Sequence, residues 1–551
     1  MDTNANTNLM PIYQLGIADY AIFVLMLLIS VSIGIYYKMT GGRQRTTAEY
    51  LLADGSMGIF PVAFSLMASF MSAITLLGVS AEIYTYGSQF MYLEMRFNRP
   101  VRIVASSVFM VQMIFYMSIV LYAPALALSA VTGTSKWVSI ISVGAVCTIY
   151  CTIGGMKAVL WTDVFQSILM FTAMIIIIVK GSIDVGGFYN VIERAKNGSR
   201  LEFDNFDLDL RTRHTVWNLS IGGIFIYVSL YGTNQTQIQR LLTVNTLTKS
   251  QISLFLSWIL TSLLSIVTAL TGLVIYANYW QSDPLKCRYI TKPDQLLPYY
   301  TVNKLSEYPG VPGLIIAGIF SGSLSTVSSF VNSLSAVTLE DYIKPLFKRS
   351  SMFQSNEILI TKLLAFFYGC LCISLTYVAD KMAGLLQASL TLFGVVGGPL
   401  LMLFTAGVCF RTTNSIGAMS GFVISLLFGL WIGFGGLLYG KRTSPLPISD
   451  EQCRLNGTSS QIIPFFKPNN QTIPSSSWPY IYDLSYMWFA AFSWLFGLVI
   501  SLLVSFITNT KSSNHPKNLD VIMKKNSPNE THQSISLMNE PKIVEENETD
   551  C

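Results

Sequence analysis

Charge is what this chain has least of: 12% of its 551 residues are Asp, Glu, Lys or Arg, whereas 52% are hydrophobic. An ordinary soluble domain carries about 25% charged residues, so this composition excludes a soluble globular protein and reads as an all-α polytopic membrane protein. Histidine is scarcer still. His214, His515 and His532 all lie outside the long apolar segments. No glycine-rich loop is spaced to cradle a phosphate and no catalytic dyad stands at membrane depth, so neither an enzyme nor an organic cofactor is expected. The net charge of +5 sits mostly in short loops and the C-terminal stretch. It does not imply nucleic acid and reads instead as orientation signals in a lipid bilayer. Eight cysteines in a chain this long do not make a disulfide framework; Cys147, Cys151, Cys370, Cys372 and Cys409 lie in or near apolar segments as small core residues. No apolar segment carries Lys or Arg in its middle. An anion at that depth has to be held by helix dipoles, hydroxyls and a co-bound cation.

Long apolar runs are abundant. Twelve have spanning length, over residues 17–37, 59–81, 103–130, 137–156, 159–181, 217–237, 252–278, 313–338, 358–379, 385–408, 416–438 and 486–508. The first is too long and wrongly flanked for a cleaved signal peptide, with acidic Asp2 ahead of it and no small-residue cleavage site after Tyr37. It predicts a retained helix behind an extracellular N-terminus of residues 1–15. The membrane domain then covers residues 16–510. Beyond Thr510 the chain turns polar and aperiodic, which predicts a disordered cytoplasmic tail over residues 511–551. Its end, Thr549-Asp-Cys551, faintly resembles a PDZ ligand.

Sidedness read from the two ends collides in one place. Lys511, Lys517, Lys524 and Lys525 mark the cytoplasmic face, and counting back puts the glycosylation sequons at Asn456, Asn470 and Asn197 outside and Arg96, Arg99 and Arg102 inside. Counting forward, Lys38, Arg43 and Arg45 put the loop after the first span inside, so the second span has to end outside near Glu82. The residues between Glu82 and Arg96 are too few for a helix of ~20 residues. An extended crossing would leave unpaired backbone groups in hydrocarbon at several kcal/mol each. One span is missing near residue 90.

Two segments are seeded with oxygen. Residues 64–75 read Phe-Ser-Leu-Met-Ala-Ser-Phe-Met-Ser-Ala-Ile-Thr, and residues 321–329 read Ser-Gly-Ser-Leu-Ser-Thr-Val-Ser-Ser. Hydroxyls, together with the freed carbonyls of an interrupted helix, suit a hard monovalent cation such as sodium. Small residues also let helices approach, and hydroxyls bond back to their own turn, so the same pattern fits plain packing.

The runs YLLADGSMGIFPVAFSLMASFMSAITLLGVSAEIYTYG, YLEMRFNRPVR, GGMKAVLWTDVFQ, YGTNQTQIQRLL, KPDQLLPYY and GLIIAGIFSGSLSTVSSFVNSLSAVTLEDYI resemble the sodium:solute symporter family over roughly residues 15 to 510. Within it the chain is most similar to the animal branch of sodium-coupled monocarboxylate, multivitamin and iodide transporters. The resemblance implies a leucine-transporter-type five-plus-five inverted repeat with flanking helices, about 12 spans here where the branch has 13, the second core helix being absent. It implies a plasma-membrane symporter of small organic anions driven by sodium, with the N-terminus outside. A transport-inactive isoform or sensor on the same scaffold and a halide symporter are the alternatives. Sodium would be held by carbonyls of Ala68, Met71 and Gly322 and hydroxyls of Ser325 and Thr326. Asp163 resembles the acidic residue on the sodium exit path; read locally, it also fits a cap after Trp161-Thr162. Asn234 and Gln235 resemble the broken sixth core helix that reaches the solute cavity, with Thr75 a further lining candidate. Asn234 starts a sequon expected to stay unused at that depth. Arg240 reads as an orientation charge. Cys287 and Cys453 share the outer side, where oxidation permits a bridge.

Overall fold

Helix ends fall where the sequence supplies caps and breakers. The computed structural model describes residues 15–39, 51, 53, 57–70, 97–133, 135–201, 204–287, 289–290, 293–347, 351–379, 385–410, 412–440, 446 and 480–508. Met71, Thr75, the junction near residue 90, Cys453, Asn456, Asn470 and the tail lie outside the described residues. Residues up to Phe506 form one compact unit, and its regular elements are helical among the described residues. α1 (Ile17–Met39) opens with Asp19 and closes with Lys38, charges that suit the helix dipole at each end. After α2 (Ile59–Phe70) comes α3 (Arg99–Thr132), which Asn98 caps by accepting from Val101 N at 3.1 Å and which stops at Gly133 with φ 67°.

α4 (Lys136–Asp184) is long enough for two crossings and is interrupted at Gly155, whose φ of 59° and ψ of −164° only glycine takes without strain. Separate segments over residues 137–156 and 159–181 were expected, and the break falls between their centres. α5 (Phe188–Asn197) is short and ends on exposed Asn197. A π-helical turn (Asn218–Gly222) leads into α6 (Gly223–Gly232), and a break at Thr233 and Asn234 separates it from α7 (Gln235–Leu241). α8 (Leu247–Tyr279) and α9 (Leu296–Leu305) precede α10 (Val311–Val337), which continues through a π-helical stretch (Thr338–Ile343). α11 (Ser351–Ala379), α12 (Leu385–Cys409), α13 (Ser415–Tyr439) and α14 (Phe489–Ile507) complete the bundle.

Nine helices among the described residues are long and apolar enough to cross a membrane. α4 folds two of the expected segments into one of these, and two more are the shorter apolar helices Ile59–Ser69 and Asn218–Gly232, which accounts for the twelve sequence segments.

α10 is the axis of the bundle. Every residue from 320 to 337 is buried, and α10 packs against α4 more extensively than any other pair of helices packs. Its start is tied to α1 by one carboxylate. Asp19, 5% exposed, accepts from Gly310 N and Gly313 N at 2.9 Å each and from Gly16 N at 2.9 Å. A Cβ on Gly313 would sit 2.3 Å from the Asp19 backbone, so glycine is what allows this approach. Asp19→Ala leaves three amides without their acceptor and is expected to destabilise the protein by about 3 kcal/mol, with Asp19→Asn falling between. Thermal unfolding in nanodiscs checks this; an unshifted midpoint for the alanine variant would show that the tie carries no weight. At the other end of α10, Asp341 accepts from Arg102 Nε at 3.1 Å, and Tyr342 Oη lies 2.6 Å from Ser107 Oγ, which joins α10 to the start of α3.

Candidate cation site

Four helices bring oxygen together at one point inside the bundle. Ser65 and Ser69 stand one turn apart on α2, Asp163 sits within the second half of α4, Arg240 at the end of α7, and Ser325 and Ser329 one turn apart on α10. All six side chains are within 0% to 1% of full burial. Ser65 Oγ donates to Asp163 Oδ2. Ser69 Oγ donates to Ser65 O at 2.5 Å and lies 3.3 Å from Ser329 Oγ, which donates in turn to Ser325 O at 2.5 Å.

The guanidinium of Arg240 is at the centre of this cluster. It donates from Nε to Ser65 Oγ at 2.6 Å, from Nη1 to Thr236 O at 3.1 Å, and from Nη2 to Ser329 Oγ and to Asp163 Oδ2, the last at 3.5 Å. The orientation-charge reading of Arg240 is thereby overturned: it is among the largest fully buried side chains. The capping reading of Asp163 also fails, because the residue lies well inside α4 with its carboxylate turned to Arg240 and Ser65.

Most hydroxyls of α10 are accounted for by packing. Ser321 bonds back to Ala317 O, Ser328 to Ser325 O and Ser335 to Val331 O, while Ser323 reaches Val120 O on α3 and Ser333 reaches Gln239 on α7. Thr326 Oγ1 donates to Gly322 O at 2.9 Å, so two members of the expected sodium set are bonded to each other. Ser325 is the exception. Its hydroxyl turns away from its own helix toward the Asp163 carboxyl, whose Oδ1 takes no other bond among the described residues. A buried carboxylate and a hydroxyl facing each other are the donor chemistry a hard monovalent cation takes. Ala68 is buried, and its side chain belongs to an apolar cluster with Met67, Met170 and Leu264 rather than to the hydroxyl face.

The break between α6 and α7 exposes a second group of polar atoms. Asn234 caps α7 by accepting from Thr236 N at 2.9 Å, and its amide nitrogen lies 3.7 Å from Met113 Sδ on α3. It is 5% exposed, which leaves no room for a glycan on that sequon. Gln237 donates to Leu66 O at 3.3 Å. The side-chain oxygens of Gln235 and Gln237 and both polar side-chain atoms of Gln166, three residues beyond Asp163, have no partner. Ser65, Ser69, Ser329 and Gln166 were not singled out in the sequence. The i, i+4 spacing of Ser65 with Ser69 and of Ser325 with Ser329 was the available signal. Cys287 is disulfide-bonded.

The model of the sodium:solute symporter family matches this chain over residues 50–101 and 91–425. The chain is 40% identical to sodium-coupled monocarboxylate transporter 1 of Mus musculus, over 90% of this chain and 88% of that protein. It is 38% identical to the sodium-dependent multivitamin transporter of Oryctolagus cuniculus, over 90% of this chain and 82% of that one. A solved structure of a Na+-coupled sialic acid symporter, in a substrate-bound outward-open state, superposes with a TM-score of 0.68 at 21% identity, covering 89% of this chain and 98% of that one. The chain belongs to the sodium:solute symporter family and has the leucine-transporter-type fold. It is a multi-pass membrane protein and not an enzyme.

Proposed function

We propose that the scaffold couples inward movement of sodium to uptake of a small organic anion, of the monocarboxylate or vitamin type, at the plasma membrane, with the N-terminus outside and the C-terminus in the cytoplasm. The observation that carries this reading is the facing pair of buried groups, the Asp163 carboxyl and the Ser325 hydroxyl, at the meeting point of α2, α4, α7 and α10. Sodium crossing down the membrane potential supplies ~2.3 kcal/mol per charge per 100 mV. On this reading Ser325 and Thr326, with carbonyls of Gly322, Ala68 and Met71, hold the ion, and Asp163 receives it on its way to the cytoplasm. The solute sits beside the break before α7, where Asn234 and Gln235, with Thr75, offer polar contacts. The dipole of a helix starting there favours an anionic group. Glycans on Asn197, Asn456 and Asn470 and a Cys287–Cys453 bridge belong to the outer side. Exposed Asn197 and a bonded Cys287 support that part.

A second reading, a transport-inactive form of such a carrier, is favoured by the alignments themselves. The match to the mouse protein runs over 541 positions yet takes in 90% of 551 residues, about 496, so about 45 positions have no counterpart here. For the rabbit protein, 528 positions leave about 32. Either number is enough for one spanning helix of ~20 residues and its turn, and the family match is itself split around residues 91–101.

Vesicles loaded with this chain and given labelled pyruvate, biotin or iodide, in sodium or in choline medium, test the reading. Sodium-dependent accumulation of pyruvate or biotin is expected of the competent scaffold, and Ser325→Ala with Thr326→Val should remove the sodium dependence by an order of magnitude or more. Accumulation of iodide alone selects the halide alternative. Unchanged sodium dependence in the double variant rules out this hydroxyl pair as the ion's seat.

A further inference from the structure

We infer that Arg240 is a tethered cation that occupies the oxygen cluster in place of sodium and sets how strongly sodium binds; this rests on the sodium-coupled reading above. The guanidinium is positioned by its own helix. α7 begins at the Asn234 cap, runs barely two turns and ends with Arg240 pointing back onto its own first turn, where Nη1 meets Thr236 O at 3.1 Å. Its other bonds go to Ser65 of α2, Ser329 of α10 and Asp163 of α4. A positive charge with no exposed surface cannot be neutralised by water, so it persists only while these oxygens face it. It takes one oxygen of the Asp163 carboxylate and leaves the carboxyl's other side to the Ser325 hydroxyl.

A sodium ion arriving at those two groups meets a carboxylate already half-neutralised and a like charge a few ångströms away. The two cations compete for Asp163. With sodium absent, the guanidinium keeps α2, α4 and α10 drawn together. With sodium bound, the carboxylate is shared, and the Arg240 contacts to Ser65 and Ser329 loosen. Arg240 is therefore a positioning residue for the coupling step: it weakens sodium binding enough for release and keeps the carboxylate from being left bare after release. No other Lys or Arg makes a hydrogen bond or ion pair to the cluster among the described residues.

The test uses the purified full chain in nanodiscs, with sodium replaced by choline, and reads the sodium concentration giving half-maximal thermal stabilisation. Arg240→Gln is expected to lower that concentration roughly tenfold or more, since one like charge is removed from a buried site. Arg240→Lys, which keeps the charge but not the fork that spans Ser65, Ser329 and Asp163, should shift it the same way by less. In Arg240→Ala, added guanidinium ion should return the midpoint toward the wild-type value; choline at the same ionic strength should not. Should Arg240→Gln fail to fold, Arg240→Lys and the guanidinium rescue carry the measurement. A wild-type sodium response that is unaltered or weaker in folded Arg240→Gln and Arg240→Lys overturns the inference alone. Absence of any sodium response, in the wild type and the variants alike, overturns the sodium-coupled reading and the inference with it.

Discussion

Inserting one apolar span of ~20 residues with its turn between Phe90 and Met91 is expected to raise sodium-dependent anion accumulation by roughly an order of magnitude or more over the chain as it stands. The physical reason lies in how three helix ends are placed. Asp19 binds the amides at the start of α10, so α1 and α10 begin on the same face of the bundle. Arg102 binds Asp341 just beyond the end of α10, so α3 begins on the opposite face, where α1 and α10 end. α2 starts on that face as well, because Leu51 just ahead of it packs with Ala336 and Leu339 at the end of α10. The chain thus leaves this face along α2 and has to be back on it by Asn98. The sequence from Glu82 to Arg96 amounts to ~22 Å as a helix, short of the ~30 Å hydrocarbon. A Gly/Ser segment of the same length should not rescue, and is the control. Sodium-dependent uptake of pyruvate or biotin by the chain as it stands, at the rate of the lengthened version, would remove the basis for a missing helix. Failure of the lengthened version on all three probes would instead mean that the solute has been misassigned.

Much of this fold could be read from the chain because lipid allows little choice: each apolar run has to close its own backbone hydrogen bonds as a helix. Segments placed over residues 252–278, 385–408 and 416–438 match α8, α12 and α13 (Leu247–Tyr279, Leu385–Cys409, Ser415–Tyr439) to within a few residues. Caps such as Asn414, which accepts from Gly417 N at 2.8 Å, lie just ahead of the apolar positions they serve. The site was legible only in part. Ser325 could be found because hydroxyls are dense around it, but density alone does not separate it from Thr326, whose hydroxyl donates to Gly322 O. Arg240 was misread because a cation at the end of an apolar run resembles a loop charge. Its partner Asp163 is 77 residues away in sequence, and nothing local shows that α7 folds back into the bundle. Ser65 and Ser69 were hidden for a related reason, since a small hydroxyl on a packed helix has the same local signature whether it binds an ion or its own turn.

Asp163→Asn should be the most destabilising single change at the site, by about 3–5 kcal/mol, because it leaves a fully buried guanidinium without a counter-charge. The loss should be specific to the pairing. Replacing both members, as Asp163→Leu with Arg240→Met, removes the uncompensated charge along with the carboxylate, and the double variant is expected to recover all but about 1–2 kcal/mol of the stability lost by the single one. Thermal unfolding of the wild type, each single variant and the double variant in the same nanodiscs closes the cycle. Stability and coupling should then part company. The double variant melts near the wild type yet has no carboxylate to receive sodium, so its melting temperature should no longer respond to sodium, whereas the Arg240→Gln variant, which keeps Asp163, should respond at lower sodium than the wild type. An Asp163→Asn protein that melts with the wild type would mean that Ser65, Ser329 and the Thr236 carbonyl satisfy the guanidinium unaided. The 3.5 Å pair between Arg240 and Asp163 would then be a proximity without energetic weight.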